Sequence, residues 1–330
     1  MKFGLYAPIP MATVGSAEIV RAISESIHPL PVGRRDAQFD LSEDLLLMAD
    51  AVGFELVLFA ERHLGHDLSA WILASALGSR FKRMRSLVAV HPGMWDPVMV
   101  AKLAASLDRI CLGRMAINIV NGWFDREFEM FGGKVLRGDD RYQRSTEFIE
   151  ILHGLWTNET FSYEGRFYNL DHGQLLLKPA TARPPEIFSV STSDQGKDFV
   201  AHNCDWWFVE LPRSDQPDEA LREIEASIAD MRARSARIGR TMRFALNPFL
   251  ALGSSDANAY DTALKSIFQF DPDRAEVRMV PATRAGCIGT PEKVRNQVAR
   301  FAAMGIEMLL LKIIPTASNL ERISVEIINH

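Results

Sequence analysis

The stretch Glu61-Arg62-His63-Leu64-Gly65-His66-Asp67 gathers two carboxylates, a guanidinium and two imidazoles in a short span. It follows directly on the apolar run FELVLFAE, Phe54–Glu61. An imidazole there could pass a proton near neutral pH, because histidine titrates in that range. That makes His63 the first catalytic candidate, with His66 a weaker one. The competing reading is a solvated loop closed by a local ion pair. A metal site fits poorly, since the spacing lacks a helical i, i+4 pair and a clear third ligand.

A second group is Asn118-Ile119-Val120-Asn121-Gly122-Trp123. Asn118 sits inside an apolar run, so its amide must find partners. The edge of a flat heterocycle would supply them, and so would a neighbouring strand end. Gly122 would let backbone approach a ligand closely. Trp123 and Phe124 could wall a pocket or pack on its rim. A third group pairs Arg141-Tyr142 with Ser191-Thr192-Ser193-Asp194. A hydroxyl-rich turn opening a helix suits a phosphate, to which Arg141 adds charge and Tyr142 a donor. The same turn could simply cap the helix.

These groups need a frame that brings distant segments to one place. Eight short apolar runs read as strands: Lys2–Pro8, Phe54–Glu61, Met84–Val90, Arg114–Val120, Pro185–Ser191, Asp205–Leu211, Phe244–Leu252 and Glu307–Ile313. They do not alternate in polarity, as expected for parallel strands buried on both faces. Helical patterns lie between them at Leu41–Val52, Pro97–Ile110, Asp140–Trp156, Asp218–Ile238 and Pro291–Met304. Gly53 is a helix stop and Thr290-Pro291 a helix start. The expected fold is therefore α/β, a (β/α)8 TIM barrel forming one domain over residues 1–330. In such a barrel the strand ends that carry these groups open into one mouth. Two segments exceed a minimal barrel. Residues 9–40 are a candidate lid at the mouth, and residues 157–184 contain an aromatic, hairpin-like stretch around Phe161–Tyr168.

Bulk properties agree with this frame and remove other classes. A chain of 330 residues, 47% hydrophobic and 24% charged, can bury a large core. The net charge of −5 offers no global basic field for nucleic acid. Three scattered cysteines, Cys111, Cys204 and Cys287, suggest neither a disulfide framework nor zinc. There is no signal-peptide pattern and no apolar run long enough to span a membrane, so the cytoplasm is expected. No GxGxxG, GxxxxGK[ST] or GxSxG is present. A bound cofactor is then a better source of difficult chemistry than a protein nucleophile.

Taken together, the ordered motifs resemble the luciferase-like flavin monooxygenases across nearly the whole chain. They include MKFG at the start, Phe59-Ala60-Glu61-Arg62-His63, Asn118 to Phe124 with Glu127, and Asp140-Arg141-Tyr142 with Glu147-Phe148. Trp156-Thr157, Gly165 with Phe167-Tyr168, Lys178-Pro179, Pro185 with Phe188, and Gly289-Thr290-Pro291 extend the match. The pattern is similar to the branch holding alkanesulfonate, dimethylsulfone and pyrimidine monooxygenases. The resemblance implies a two-component system in which a separate NAD(P)H flavin reductase supplies FMNH2, on which O2 is activated. It assigns FMN to Asn118, Glu127, Arg141, Tyr142 and Ser193, with Glu61 and Arg62 as a further flavin-contacting pair. It also implies a homodimer or homotetramer.

Departures from the pattern bear on the substrate. Gly65 stands where the alkanesulfonate enzymes have cysteine, Asn247 and Phe249 where they have Arg and His, and Ile314 where they have Tyr. Asn247 and Phe249 look instead like the dimethylsulfone enzymes, although Val190-Ser191 replaces the Gly-Gly of their phosphate loop. A sulfone, another organosulfur compound or a nitrogen heterocycle is expected, neutral or weakly polar. His63 and His91 would face the flavin–substrate space, walled by Trp95, Trp123 and Phe249 with Asn247. A deazaflavin (F420) dependent oxidoreductase is the alternative, its basic groove supplied by Arg34, Arg35 and Arg137. A non-catalytic flavin-binding relative is a third reading.

Overall fold

The computed structural model describes the chain except residues 8–16, 27, 66, 123, 124, 215 and 271–274, and except the side chains of 17–20, 26, 266, 268–270, 275–278 and 281. Pro8 and the first part of the candidate lid, His66, Trp123 and Phe124 thus lie outside the described residues. In chain order the strands are β1 (Lys2–Tyr6), β2 (Leu56–Phe59), β3 (Arg85–Val90), β4 (Met115–Ile119), β5 (Phe161–Glu164) and β6 (Asn169–Gly173). There follow β7 (Glu186–Ser189), β8 (Trp206–Phe208), β9 (Arg243–Leu246), β10 (Ala251–Leu252), β11 (Ile288–Gly289) and β12 (Met308–Leu311). The helices are α1 (Ala17–Ser26), α2 (Ala37–Val52), α3 (Ala70–Gly78), α4 (Pro97–Ile110), α5 (Asp125–Met130) and α6 (Asp139–Thr157). They continue with α7 (Asp194–Asn203), α8 (Pro217–Arg237), α9 (Asp256–Phe270), α10 (Ala275–Arg284), α11 (Pro291–Ala303) and α12 (Ala317–Ile323).

Eight strands close into a parallel barrel in the order β1-β12-β9-β8-β7-β4-β3-β2. The chain is a (β/α)8 TIM barrel, as its apolar runs predict. The expected strands are present with trimmed ends, except the seventh. That one divides at Asn247-Pro248: Arg243–Leu246 stays in the barrel, while Ala251–Leu252 pairs with Ile288–Gly289 outside it. Proline offers no N–H to a ladder, so the regular strand is interrupted at Pro248, and Phe249 then bridges Lys312 in the same register.

Helix ends follow local chemistry. Asp36 caps α2 through the N–H groups of Gln38 (2.8 Å) and Phe39 (3.3 Å), starting the helix four residues before its apolar pattern. Gly53 ends it at φ 116°, a left-handed conformation that costs glycine little. Asp96 with Pro97 opens α4, and Thr290 with Pro291 opens α11. Short or polar helices such as α3, α5 and α7 give no comparable pattern in the sequence.

Side chains within the barrel form their own cluster, which includes Ala89, Ala116, Phe188, Trp206, Ala245 and Leu310, with Tyr6 packed against it. Phe188 and Trp206 stack at 5.0 Å. The amino-terminal end is closed by charge: Glu186 pairs with Arg85 (2.8 Å) and Arg243 (3.2 Å), and Arg243 covers the Trp206 ring. A larger cluster fills the space between strands and helices. The hairpin β5–β6 is antiparallel and folds back along α6. Glu147 of α6 accepts N–H bonds from Arg166, Phe167 and Tyr168 at 2.8–3.1 Å. Among the described residues no helix is long and apolar enough to cross a membrane.

Candidate functional site

Successive residues of a strand face opposite sides. Ala89, Ala116, Ala245 and Leu310 face the barrel interior. Two residues further along each chain stand His91, Asn118, Asn247 and Lys312, so alternation carries these polar side chains inward at the carboxyl-terminal mouth. Placing them needs only strand parity, and it joins four segments that are remote in sequence.

The loop after β2 is held from two sides. Glu61 is buried, and its Oε2 accepts from Ser69 Oγ (3.2 Å) and the Ala70 N–H (3.1 Å) at the start of α3. Burial raises its pKa to about 7 despite those bonds. Glu127, on α5 and 1% exposed, accepts from Arg62 Nε at 3.0 Å and from the N–H groups of His63 (3.1 Å) and Leu64 (3.2 Å). Both carboxylates therefore fix the loop that carries His63.

His63 is half-buried with Nε2 lacking a protein partner, and burial lowers its pKa. Its ring meets Phe131 edge-on at 4.8 Å and lies 6.2 Å from His91 and 6.3 Å from Trp95. Burial takes the His91 pKa down to about 4. Its Nδ1 has no partner. Trp71 lies 6.2 Å from Trp95, extending an aromatic wall beside the imidazoles. Both imidazoles are neutral at pH 7 and able to exchange a hydrogen bond with a ligand.

A cluster of hydroxyls with Arg141 is assembled from α6 and the turn into α7. Tyr142 is buried, and its hydroxyl lies 3.0 Å from Ser191 Oγ, 2.9 Å from Ser193 Oγ and 2.7 Å from Arg141 Nη2. The Arg141 guanidinium lies 4.6 Å from the Tyr142 ring centroid, and its Nε is buried without a partner. Ser193 caps α7, its Oγ accepting from the Gly196 N–H at 3.2 Å. A Cβ at Gly196 would collide with Ser191 Oγ and the Tyr142 hydroxyl. The cap and the cluster of hydroxyls from Tyr142, Ser191 and Ser193 thus share one turn. Close by in the barrel, Asn118 keeps a buried Oδ1 unpartnered, and both polar atoms of the Asn121 amide are likewise buried and unbonded.

Asn247 donates from Nδ2 to the Tyr6 hydroxyl at 2.9 Å, while its Oδ1 has no partner. Phe249 bridges Lys312 of the barrel and packs with Ala259, Ala263 and Ile288 in a separate cluster beside α9. Ser191, Asn121, Trp71, Phe131, Tyr6 and Lys312 join the mouth without having been assigned a site role. Ser191 lies in the quoted hydroxyl turn and Lys312 directly after an apolar strand, whereas Trp71 and Phe131 give no local signal.

A cavity of about 650 Å³ lies elsewhere, lined by Asp256, Tyr260, Lys293, Gln297 and Arg300 around β11 and α11. Its Lys293 and Arg300 already pair with Asp256 and Asp218. It contains none of the mouth residues, and the convergence of orphaned polar atoms favours the mouth as the functional site.

Residues 1–308 match the model of the luciferase-like monooxygenase family. The chain is 28% identical over 312 residues to the FMNH2-dependent dimethylsulfone monooxygenase of Pseudomonas fluorescens (strain Pf0-1), covering 84% of this chain and 83% of the relative. It is 27% identical over 310 residues to the enzyme of the same name from Pseudomonas putida, covering 84% of each. Among solved structures, monooxygenase RslO1 from Streptomyces bottropensis superposes with a TM-score of 0.75 at 21% identity, over 100% of this chain and 99% of that one. With a closed eight-stranded barrel and a family match across most of its length, the chain belongs to the luciferase-like monooxygenases.

Proposed function

We propose that the chain is an FMNH2-dependent monooxygenase, supplied by a separate NAD(P)H flavin reductase, that uses O2 to oxidise a small organosulfur compound or nitrogen heterocycle. The observation that carries this reading is the cradle of Arg141, Tyr142, Ser191 and Ser193 at the start of α7, with the orphaned amides of Asn118 and Asn121 close by. An anionic tail and a flat polar ring would satisfy both at once. FMN has those two parts, so the residues fit it. When bound, reduced FMN supplies the electrons that activate oxygen.

The chain's own groups divide the remaining work. Arg141 and the α7 N–H groups hold the phosphate, with Tyr142 and the two serines orienting it. Asn118 and Asn121 meet the ring edge. Glu127 and Glu61 brace the loop that presents Arg62 and His63. His63 Nε2 and His91 Nδ1 face the reacting space as neutral groups, where His63 takes or returns a proton on the substrate. Trp71, Trp95 and Phe131 shield that space from water. The dimethylsulfone monooxygenases among the relatives support an organosulfur substrate. The basic groove that F420 would need is not favoured: Arg34 pairs with Glu25, Arg35 with Asp40 and Glu43, and Arg137 with Asp125.

The test is a parallel anaerobic titration with FMNH2, oxidised FMN and F420, followed by fluorescence. Tightest binding of FMNH2, with substrate-dependent O2 uptake when a reductase is added, is the expected result. Preferred binding of F420 would move the chain to hydride transfer, and binding of none would remove the catalytic reading.

A further inference from the structure

Lys312 stands directly after β12, on the inward-facing parity of Met308 and Leu310. Its backbone is held against the segment after β9, its N–H donating to Pro248 O at 2.9 Å and its carbonyl accepting from the Leu250 N–H at 2.8 Å. The side chain is half-buried, and its Nζ lies 5.3 Å from the Tyr6 ring centroid. No carboxylate pairs with it among the described residues. Burial alone lowers its pKa, to about 8. A cation held this way lacks the compensation that buried charges ordinarily find.

Two neighbours complete a receptor. The Tyr6 hydroxyl accepts from Asn247 Nδ2, which leaves its own proton free to donate outward. Burial raises the Tyr6 pKa to about 12, so that proton stays in place at neutral pH. Asn247 Oδ1 is buried and unpartnered. The three residues stand at the carboxyl ends of β1, β12 and β9, which are adjacent in the barrel. In that ring of eight strands β12 lies opposite β4, and β1 opposite β7. Lys312 therefore stands across the mouth from Asn118, and Tyr6 across from the strand leading into the Ser191–Ser193 turn. A flavin held on the β4–β7 side would leave Lys312 and Tyr6 on the wall that faces the substrate.

We propose that Lys312, the Tyr6 hydroxyl and the Asn247 amide form a receptor for an oxyanionic group, so that the substrate is a small organic compound bearing a carboxylate or a sulfur oxyanion. The ammonium and the phenol proton meet the oxyanion, and Asn247 Oδ1 accepts from a neighbouring N–H or O–H of the same molecule. This replaces the neutral or weakly polar substrate expected from the departures at Asn247, Phe249 and Ile314. It rests on the flavin monooxygenase reading, since the oxyanion serves to place another part of the substrate beside the flavin.

The experiment uses full-length wild type, Lys312→Met and Lys312→Arg, each loaded anaerobically with FMNH2 and titrated calorimetrically with butanoate, butane-1-sulfonate and neutral dimethylsulfone. At least one anion should bind wild type, and its affinity should fall about 10-fold or more in Lys312→Met while Lys312→Arg retains most of it. Affinity for FMNH2 should stay within about 2-fold in both variants, because the flavin's charged contacts lie on the opposite wall. Preference between the two anions identifies the oxyanion as carboxylate or sulfonate. Three results would overturn the receptor: no anion bound by flavin-loaded wild type, equal anion affinity in Lys312→Met, or a comparable loss of FMNH2 affinity in that variant. Failure of wild type to take up FMNH2 would instead strike the flavin reading itself. Thermal melting checks that Lys312→Met folds, and a midpoint at or above wild type is expected once an uncompensated cation is removed.

Discussion

Glu127 Oε1 lies 3.0 Å from Arg62 Nε and also accepts the backbone N–H groups of His63 and Leu64. One oxygen of a carboxylate that is 1% exposed thus fixes the loop bearing the principal catalytic candidate. Replacing Glu127 with Ala leaves three donors to find other partners. The expected cost is about 2–4 kcal/mol of stability, with Glu127→Gln milder, measured as a shift of the urea midpoint. Turnover should fall further than flavin affinity, since the loop loosens while the phosphate cradle stays intact. An unchanged midpoint would show that the loop is held by other contacts.

His63 and the cradle are separate parts of the mouth, so their variants should separate in kinetics. His63→Ala should lower kcat by about 10²-fold or more, the range for a lost proton-transfer group. FMNH2 affinity, read by anaerobic fluorescence, should remain within about 2-fold of wild type because no phosphate contact changes. Unaltered turnover would take His63 out of the mechanism.

Arg141→Ala should have the opposite profile, with FMNH2 affinity falling about 10–100-fold as a charge-assisted contact disappears. Gly196→Ala should weaken FMNH2 as well, for a steric reason: the added methyl would displace Ser191 and the Tyr142 hydroxyl from the cradle. Circular dichroism spectra should match wild type for both. Retained affinity in both variants would move the phosphate away from α7.

Glu61 and His91 should oppose each other in the pH dependence of stability. Glu61 titrates near 7 in the folded chain and near 4.5 when unfolded, so the folded state holds the extra proton between them. Its contribution is present at low pH and lost as pH rises through about 7. His91 titrates near 4 when folded and near 6.5 when unfolded, so its contribution is present above 6.5 and lost as pH falls toward 4. Each effect is at most about 3 kcal/mol, and they largely cancel where the two ranges overlap. Removing one should expose the other. Relative to wild type, Glu61→Gln should lose stability between pH 6.5 and 4, and His91→Asn should gain it as pH falls from 7 to 4.5. Urea unfolding at four pH values tests this, and profiles parallel to wild type would refute the opposition.

The barrel was legible in the chain because fully buried parallel strands must be continuous apolar runs, and helices of three turns or more carry a periodic face. Runs such as Arg85–Val90 and Met308–Leu311, with capping signals at Asp96-Pro97 and Thr290-Pro291, specify those elements from local chemistry. Arg141, Tyr142 and Ser193 could be named as a group from their residue types, but the turn alone reads equally as a helix cap, and only the family resemblance assigns it to FMN. What depends on contacts between remote segments was not legible. Nothing local shows that Glu127 would bind the loop at 62–64, or that Phe249 would bridge Lys312 and pack beside α9. Lys312 is an ordinary lysine in one dimension. Closing eight strands into a ring sets it beside Tyr6 and Asn247, 306 and 65 positions away in the chain, and leaves its charge without a carboxylate. Local sequence fixes periodicity and capping through interactions over a few residues, whereas the partners of a buried charge are chosen by the barrel's closure.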